Sequence, residues 1–451
     1  MTRDETSRAP LVPARAMQGA GARTPPDRAK PRAGGLAEAL IWTARMVSAL
    51  GNGVKGGKWY SLVDKVYAPR TLEAAWTKVR ANKGAAGVDG QSVERFESRA
   101  GEYLAELGAA LKDGSYRPEA VKRVEIPKGD GKTRPLGIPT VRDRIAQTAV
   151  KMAIEPVFET AFCEGSYGFR PGRGCKDALR EVDRLLKDGF CFVVDADIKS
   201  YFDTIPHERL MQRVEEKVSD GRILELIRSW LKQDILKGAE RWTPTGGTPQ
   251  GAVISPLLAN IYLHPLDVLM AARGYRMVRY ADDFVILCKS RMEADAALAE
   301  VRVWVEANGL ELHPDKTHVG DCRVPGEGFE FLGYRFEAGM RLVRKKSMDR
   351  LKEKIREKTR RTVGKSLFQV IAALNPMLRG WVEYFKHAHH NTFSTLDGWI
   401  RRRLRAILRK QEKRPAFGRC SADHRRWPNA FFAQAGLFAL HTAWKNARHP
   451  R

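Results

Sequence analysis

The spacing of apolar and polar positions divides the chain into an unpatterned start and a long patterned remainder. Residues 1–35 contain no Phe, Tyr, Trp or Ile and carry Pro10, Pro13, Pro25, Pro26 and Pro31 among scattered arginines. Such a segment buries too little apolar surface to offset its ordering entropy, so a disordered basic tail is expected over residues 1–60. The stretch Gly51-Asn52-Gly53-Val54-Lys55-Gly56-Gly57 matches GxGxxG, but no strand precedes it, and it reads as a flexible linker. From residue 61 onward Leu62, Val66, Leu72, Ala75, Trp76 and Val79 recur at helical spacing. A glycine-rich break at residues 84–90 separates that helix from another around Phe96 to Leu111. Val121 to Ile126 alternates with charged residues. With Arg134 to Ile138, across the turn Lys128-Gly129-Asp130-Gly131-Lys132, it predicts a hairpin, followed by a helix over Arg142 to Phe158. Phe190 to Val194 is a continuous apolar run, the mark of a buried central strand, and it ends in Asp195-Ala196-Asp197. Residues 255–270 and 293–307 are helical in pattern. Two short apolar runs, Met277-Val278 and Phe284 to Leu287, enclose Tyr280-Ala281-Asp282-Asp283.

Beyond residue 340 the balance shifts towards basic helices. Arg341 to Arg361 holds eleven basic residues against Asp349, Glu353 and Glu357, and Arg401 to Arg414 holds eight against Glu412. Leu351, Ile355, Leu404, Ile407 and Leu408 supply apolar faces at helical spacing, so both runs read as helices with a nucleic-acid-binding side. The whole chain of 451 residues has 79 Lys and Arg against 53 Asp and Glu, a net charge of +26. That favours a polyanionic partner. Its 43% hydrophobic content is ample for a core, and its length allows about three domains. No stretch nears the ~18 apolar residues of a membrane span. The six cysteines (Cys163, Cys175, Cys191, Cys288, Cys322, Cys420) show no CxxC pairing, which argues for free thiols in a reducing cytoplasm.

The chemistry concentrates on Asp282-Asp283. Adjacent carboxylates among apolar residues repel each other, and a divalent cation removes that cost. Oxygen-only ligands select Mg²⁺ or Mn²⁺ over zinc. Asp197, at the end of another strand, is a third candidate ligand, and three such carboxylates suit two-metal phosphoryl transfer. Tyr280-Ala281-Asp282-Asp283 resembles the YxDD signature of reverse transcriptases, and other segments agree in order. Asp197 to Asp203 resembles the first palm motif. Gly247-Thr248-Pro249-Gln250-Gly251 with Ser255 to Asn260 resembles the second. Arg134 to Pro139 and Gly165 to Gly172 resemble the fingers motifs, and Phe331-Leu332-Gly333-Tyr334 the primer grip. Asn82 to Gly90 and Leu378 to Phe385 are similar to the N-terminal extension and maturase domain of bacterial group II intron proteins.

The resemblance implies an α+β right-hand polymerase, with fingers and palm over residues 61–340, a helical maturase or thumb domain over 341–414, and a short DNA-binding-like tail over 415–451. The paired cysteines of an endonuclease are missing from that tail, as in the endonuclease-less type. Asp197, Asp282 and Asp283 would hold the metals, helped by the Ile198 carbonyl. Lys128, Arg134, Tyr201 and Gln250 would contact the incoming dNTP, with Tyr201 as the aromatic gate against a ribose 2′-OH. Phe331, Leu332 and Gly333 would form the primer grip, and Lys316 is a weaker candidate as proton donor to pyrophosphate. Asp195 shares a strand face with Asp197, and only the motif singles out Asp197; Asp203 is expected to cap a helix after Pro206. The cluster His387-Ala388-His389-His390 lacks a ligand set for metal and reads as thumb surface. The implied activity is RNA-directed DNA polymerisation with intron RNA binding and splicing, supporting group II intron mobility. The implied partners are structured intron RNA, an RNA template with a DNA primer, dNTPs and target DNA, with no membrane. A splicing-only maturase and a reverse transcriptase domesticated for defence or repair are the rival classes.

Overall fold

A computed structural model describes residues 41–129, 132–362, 364–414 and 420–448. The tail expected over residues 1–40 lies outside the described residues. Residues 41–60 depart from it. Ile41 and Trp42 are buried, the Trp42 indole donates to the Met152 carbonyl at 3.2 Å, and helix α1 (Ala44–Asn52) starts at Thr43, whose hydroxyl accepts from Met46 N–H. Trp59 packs edge-on to Trp42 at 5.1 Å and exchanges backbone hydrogen bonds with Lys217 and Ser219. Two indoles supply enough apolar area to order a segment whose neighbours are polar. Between them, Gly53 to Gly57 is an exposed loop, in keeping with the linker reading.

Helices α2 (Val63–Val66), α3 (Pro69–Asn82), α4 (Val93–Glu97) and α5 (Ala100–Asp113) pack together and precede the first hairpin, β1 (Val121–Gly129) with β2 (Lys132–Ile138). Pro69 opens α3, where its missing N–H costs nothing, and Gly114 closes α5 at φ +82°. Helix α6 (Val141–Glu159), capped by the Thr140 hydroxyl, is buried on nearly every side and forms the axis of the N-terminal core.

The palm follows: α7 (Cys175–Lys187), β3 (Phe192–Asp197), α8 (Tyr201–Thr204), α9 (His207–Glu215), α10 (Gly221–Leu231), β4 (Ile235–Lys237), β5 (Glu240–Trp242), α11 (Ser255–Ala272), β6 (Arg276–Tyr280), β7 (Asp283–Cys288), α12 (Arg291–Ala307) and β8 (His318–Asp321). Strands β4 and β5 extend the first hairpin into a sheet of order β2-β1-β4-β5. The palm sheet is antiparallel, ordered β6-β7-β3-β8, and covered on both faces. Val194, Ala196, Phe284 and Ile286 join the core built on α6, α11 and α12, while Val193, Val278, Val285 and Leu287 join a second core under α7 and the C-terminal helices. Double coverage explains the unbroken apolar runs in these strands.

A three-stranded meander, β9 (Phe329–Phe331), β10 (Tyr334–Glu337) and β11 (Met340–Val343), leads into α13 (Lys345–Lys358), α14 (Leu367–Phe385), α15 (Asn391–Gln411), α16 (Ser421–Arg426), α17 (Asn429–Gln434) and α18 (Leu440–Arg448). The boundaries expected near 340 and 414 do not separate cores. Phe329, Phe331 and Tyr334 share the second core with α14, and Trp427, Phe432 and Leu440 complete it. The Asp397 carboxylate accepts from the N–H groups of Leu440 and His441, both at 3.0 Å, which ties α18 to α15. The second basic run is also partly structural. Arg403 donates to Thr359 Oγ1 at 2.6 Å, the buried Arg405 to the Trp427 carbonyl at 2.9 Å, and Arg409 pairs with Asp423 at 2.6 Å. Among the described residues no helix is long and apolar enough to cross a membrane.

Candidate active site

The β6–β7 turn carries Ala281 and Asp282, with Tyr280 and Asp283 paired across it. Ala281 sits at φ +61°, a strained conformation for a residue with a Cβ. Arg279, fully buried, holds it there. Its guanidinium donates to the Ala281 carbonyl at 2.9 Å, to Asn260 Oδ1 at 2.9 Å, to Ser166 Oγ at 2.9 Å, and to both Asp267 oxygens at 2.7 and 2.5 Å. Burial alone would lower the Arg279 pKa, but Asp267 outweighs it and the value lies above the ordinary one. Three sequence motifs therefore meet on one side chain. The Gly165–Gly168 segment lies beside β6 through Arg279 N–H to the Gly165 carbonyl and Tyr167 N–H to the Arg279 carbonyl, both at 2.8 Å. A Cβ on Gly168 would fall 2.2 Å from Ala281 N, so only glycine permits this approach to the turn.

The β3–β7 register sets Asp197 directly opposite Asp283, a spacing that puts their Cβ atoms about 4.5–5.5 Å apart, and Asp282 precedes Asp283 in the turn. Asp283 is pushed up to about 7, by burial first and then by the charges of Asp195, Asp282 and Asp197, with Arg344 opposing. Asp195, on the same face as Asp197, also rises to about 7. Burial is the main cause, and a backbone hydrogen bond at Glu330 opposes it while the Glu330 and Asp197 charges add to it. Lys316 meets the Asp197 carboxylate in an ion pair. On the β8 side, Lys199 N–H donates to the Glu311 carbonyl and His313 N–H to the Asp197 carbonyl, both at 2.8 Å. Ile198 lies between these bonds, so its own carbonyl turns away from that strand, towards the side where β7 begins.

Among the described residues no three Asp, Glu, His or Cys side chains already converge as a metal cage. The donor set nonetheless fits a hard divalent cation. Its donors are oxygens only, burial first and then mutual repulsion raise Asp283, and a lysine ammonium already supplies positive charge at Asp197.

A cavity of about 200 Å³ lies between the β1–β2–β4–β5 sheet and the palm, lined by Arg123, Phe202, Asp203, Trp242 and Gln250 among others. Gln250 is thus in the wall, with Gly137 N–H donating to its carbonyl at 2.6 Å. Tyr201 is not. It is 2% exposed, and its hydroxyl donates to the Ala259 carbonyl at 2.6 Å inside the core. Its neighbour Phe202 lines the cavity instead. Arg134 is exposed on β2, on the opposite ribbon face from Pro135 and Gly137, which line the cavity. The Lys128 side chain lies outside the described residues. Asp203 caps no helix, since Pro206 itself precedes α9; its carboxylate accepts from Gln250.

The turn expected to serve as primer grip is a two-residue hairpin with Leu332 at φ +48° and Gly333 at φ +84°, the signs of a type I′ turn. Tyr384 of α14 donates to the Leu332 carbonyl at 2.8 Å, and Arg344 N–H to the Gly333 carbonyl at 3.0 Å. Phe331 is 1% exposed and anchors the hairpin in the core, leaving Leu332 and Gly333 as its accessible part. Among residues not singled out from sequence, Arg279 was signalled only by a charge between apolar residues and the Tyr280 to Asp283 motif, and Phe202 by nothing that separated it from Tyr201.

Residues 126–336 match the family model described as reverse transcriptase (RNA-dependent DNA polymerase), and residues 348–427 match the group II intron, maturase-specific domain. Protein YkfC of Escherichia coli (strain K12) is 35% identical over 332 residues, covering 63% of this chain and 84% of that protein. Group II intron-encoded protein LtrA of Lactococcus lactis subsp. cremoris is 39% identical over 202 residues, 44% of this chain and 33% of that one. Nuclear intron maturase 4, mitochondrial, of Arabidopsis thaliana is 30% identical over 214 residues, 47% and 25% of the two chains. The chain thus spans about a third and a quarter of the last two relatives. Two domain matches in order, together with a relative matched over 84% of its length, place the chain in the group II intron family of reverse transcriptases with a maturase-specific domain.

Proposed function

We propose that this chain copies RNA into DNA and binds structured intron RNA to assist its splicing, in support of group II intron mobility. The observation that carries the polymerase reading is the direct pairing of Asp197 with Asp283 beside the Asp282 turn. Asp197, Asp282 and Asp283, with the Ile198 carbonyl, would hold Mg²⁺, or Mn²⁺ in its place. When bound, the cations stabilise the attacking and leaving oxygens of an in-line phosphoryl transfer. Gln250 and Phe202 bound the nucleotide site, with Phe202 taking the gating role first assigned to Tyr201. Lys128 is assigned to the triphosphate of the dNTP, where a cationic donor neutralises phosphate without reading the base, whereas Arg134 lies on the ribbon face away from the cavity. Leu332 and Gly333 orient the primer end on a hairpin that Tyr384 and Arg344 hold rigid.

RNA binding rests on charge. On α13 Lys345, Lys346, Arg350, Lys354, Arg356 and Lys358 are exposed, and a phosphate-dominated interface there should weaken steeply with salt. Target DNA is a further partner of the same sign. The test is primer extension on an RNA template with Mg²⁺ and dNTPs, paired with a salt-dependent RNA-binding measurement. Wild type should extend, and Asp282→Asn should abolish extension while leaving RNA affinity within about twofold. Tight RNA binding without any extension by wild type would leave the splicing-only reading in its place.

A further inference from the structure

Asp203 takes no part in the metal cluster, yet its carboxylate faces Gln250 in the same cavity wall. Gln250 Nε2 donates to both Asp203 oxygens, at 3.1 and 3.0 Å. The backbones carrying the two residues are locked together. Thr248 N–H donates to the Phe202 carbonyl at 2.6 Å, Gly247 N–H to the Ile205 carbonyl at 2.8 Å, and His207 Nε2 lies 2.7 Å from the Gly247 carbonyl. Gly247 sits at φ +83°, and a Cβ there would fall 2.7 Å from the Phe202 carbonyl oxygen. Gly251 presses the other side of the loop against the Gly137 carbonyl, which a Cβ would meet at 2.2 Å. With the main chain fixed, the orientation of Gln250 is left to its own torsions, and Asp203 sets them.

The chemistry of the pair decides what Gln250 offers. An ionised carboxylate only accepts, so it draws the amide NH₂ towards itself and turns Oε1 the other way. The outward group is then an acceptor. Base edges differ among the four nucleotides, and a triphosphate presents acceptors. The donor common to all four deoxynucleotides is therefore the sugar 3′-hydroxyl. We propose that Asp203 is a positioning residue that fixes the Gln250 amide with its oxygen towards the incoming nucleotide, so that the Asp203–Gln250 pair selects nucleotides bearing a 3′-hydroxyl. The inference rests on the polymerase reading above. Phe202, next in the chain and in the same cavity wall, screens the 2′ position, so adjacent residues act on the two sugar carbons.

The test is steady-state single-nucleotide extension of a primer on RNA by the full chain, with dNTP and the matching 2′,3′-dideoxynucleotide compared for wild type, Asp203→Asn, Asp203→Ala, Gln250→Ala and the Asp203→Ala/Gln250→Ala double variant. Asparagine keeps the volume but can donate to Oε1, so the amide loses its single orientation. Both Asp203 variants should raise the dNTP KM about 3–10-fold with kcat changed less than about twofold. The dideoxynucleotide KM should stay put, so discrimination between the two shrinks. The double variant should match Gln250→Ala alone, since Asp203 acts through that side chain. An unchanged preference in Asp203→Asn, or additive losses in the double variant, overturns the proposal. Equal loss of kcat on both nucleotides, with a lowered melting temperature, assigns Asp203 a structural role and also overturns it. If wild type itself gives no product, the polymerase reading fails and takes this one with it, an outcome distinct from extension with an unaltered preference.

Discussion

Replacing Arg279 by lysine tests whether the strained Ala281–Asp282 turn depends on one buried guanidinium. The side chain of Arg279 is 0% exposed and that of Asp267 2%, so neither charge has water to fall back on. Arginine spreads its donors over Asp267, Asn260, Ser166 and the Ala281 carbonyl; lysine keeps the charge but has three donors on one nitrogen and no planar fork. If the ammonium keeps both Asp267 oxygens, two of the other three partners lose their bond. Buried groups left unsatisfied cost about 1–3 kcal/mol each, so a loss of about 2–4 kcal/mol is expected after partial relaxation. Removing the charge outright, as in Arg279→Met, strands a buried carboxylate and should cost about 3–5 kcal/mol. Changing Asp267 to Asn in the same chain should recover part of that loss. The assay is urea unfolding read by tryptophan fluorescence, with primer extension measured well below the melting temperature. Extension by Arg279→Lys should fall by more than tenfold while RNA affinity stays near wild type, because the turn loses the bond that holds Ala281 at φ +61°. A destabilisation under about 1 kcal/mol together with full extension would refute this account of the turn.

Two further expectations separate neighbouring residues and charge states. Tyr201→Phe removes the 2.6 Å bond to Ala259 and should cost about 0.5–1.5 kcal/mol without altering the preference for deoxynucleotides, whereas Phe202→Ala should raise ribonucleotide incorporation; the reverse pattern in competitive extension would return the gate to Tyr201. Asp283 and Asp195 both stand at about 7 in the folded chain against about 4 unfolded, so the folded state holds more protons between those values and their contribution to stability falls as pH rises through that window. The metal-free chain should therefore show a steeper loss of melting temperature from about pH 5.5 to pH 7.5 than Asp283→Asn does, and equal slopes would contradict it. Glu337 and Glu383, held near 2 by Arg335 and Lys176 first of all, lose their contribution only as pH falls below about 4.5, and do not compete in that range.

Local pattern determined much of this protein. Alternation over Val121 to Ile126, the apolar runs before Asp197 and after Asp283, and the helical spacing over residues 255–270 and 293–307 each name an element, because burial on one or both faces leaves its period in the chain. The positions of Asp197 and Asp283 at strand ends were legible for the same reason, as charges that flank apolar runs. Elements held by distant partners were not. Strands β4 and β5 have three residues each, and β4 exists by pairing with β1 more than a hundred residues earlier. The order in residues 41–60 comes from Trp42 reaching Met152 and Trp59 reaching Lys217. In the site, spacing could not say whether Tyr201 or Phe202 faces the cavity, because adjacent helical residues differ only by a rotation about the helix axis. Nor could it reveal that Asp203 orients Gln250, 47 residues on, or that Arg279 gathers three motifs. Sequence records which residue types must be buried or charged; the directions of side chains, and so which charges meet, follow from contacts that close long loops, and these only the tertiary structure decides.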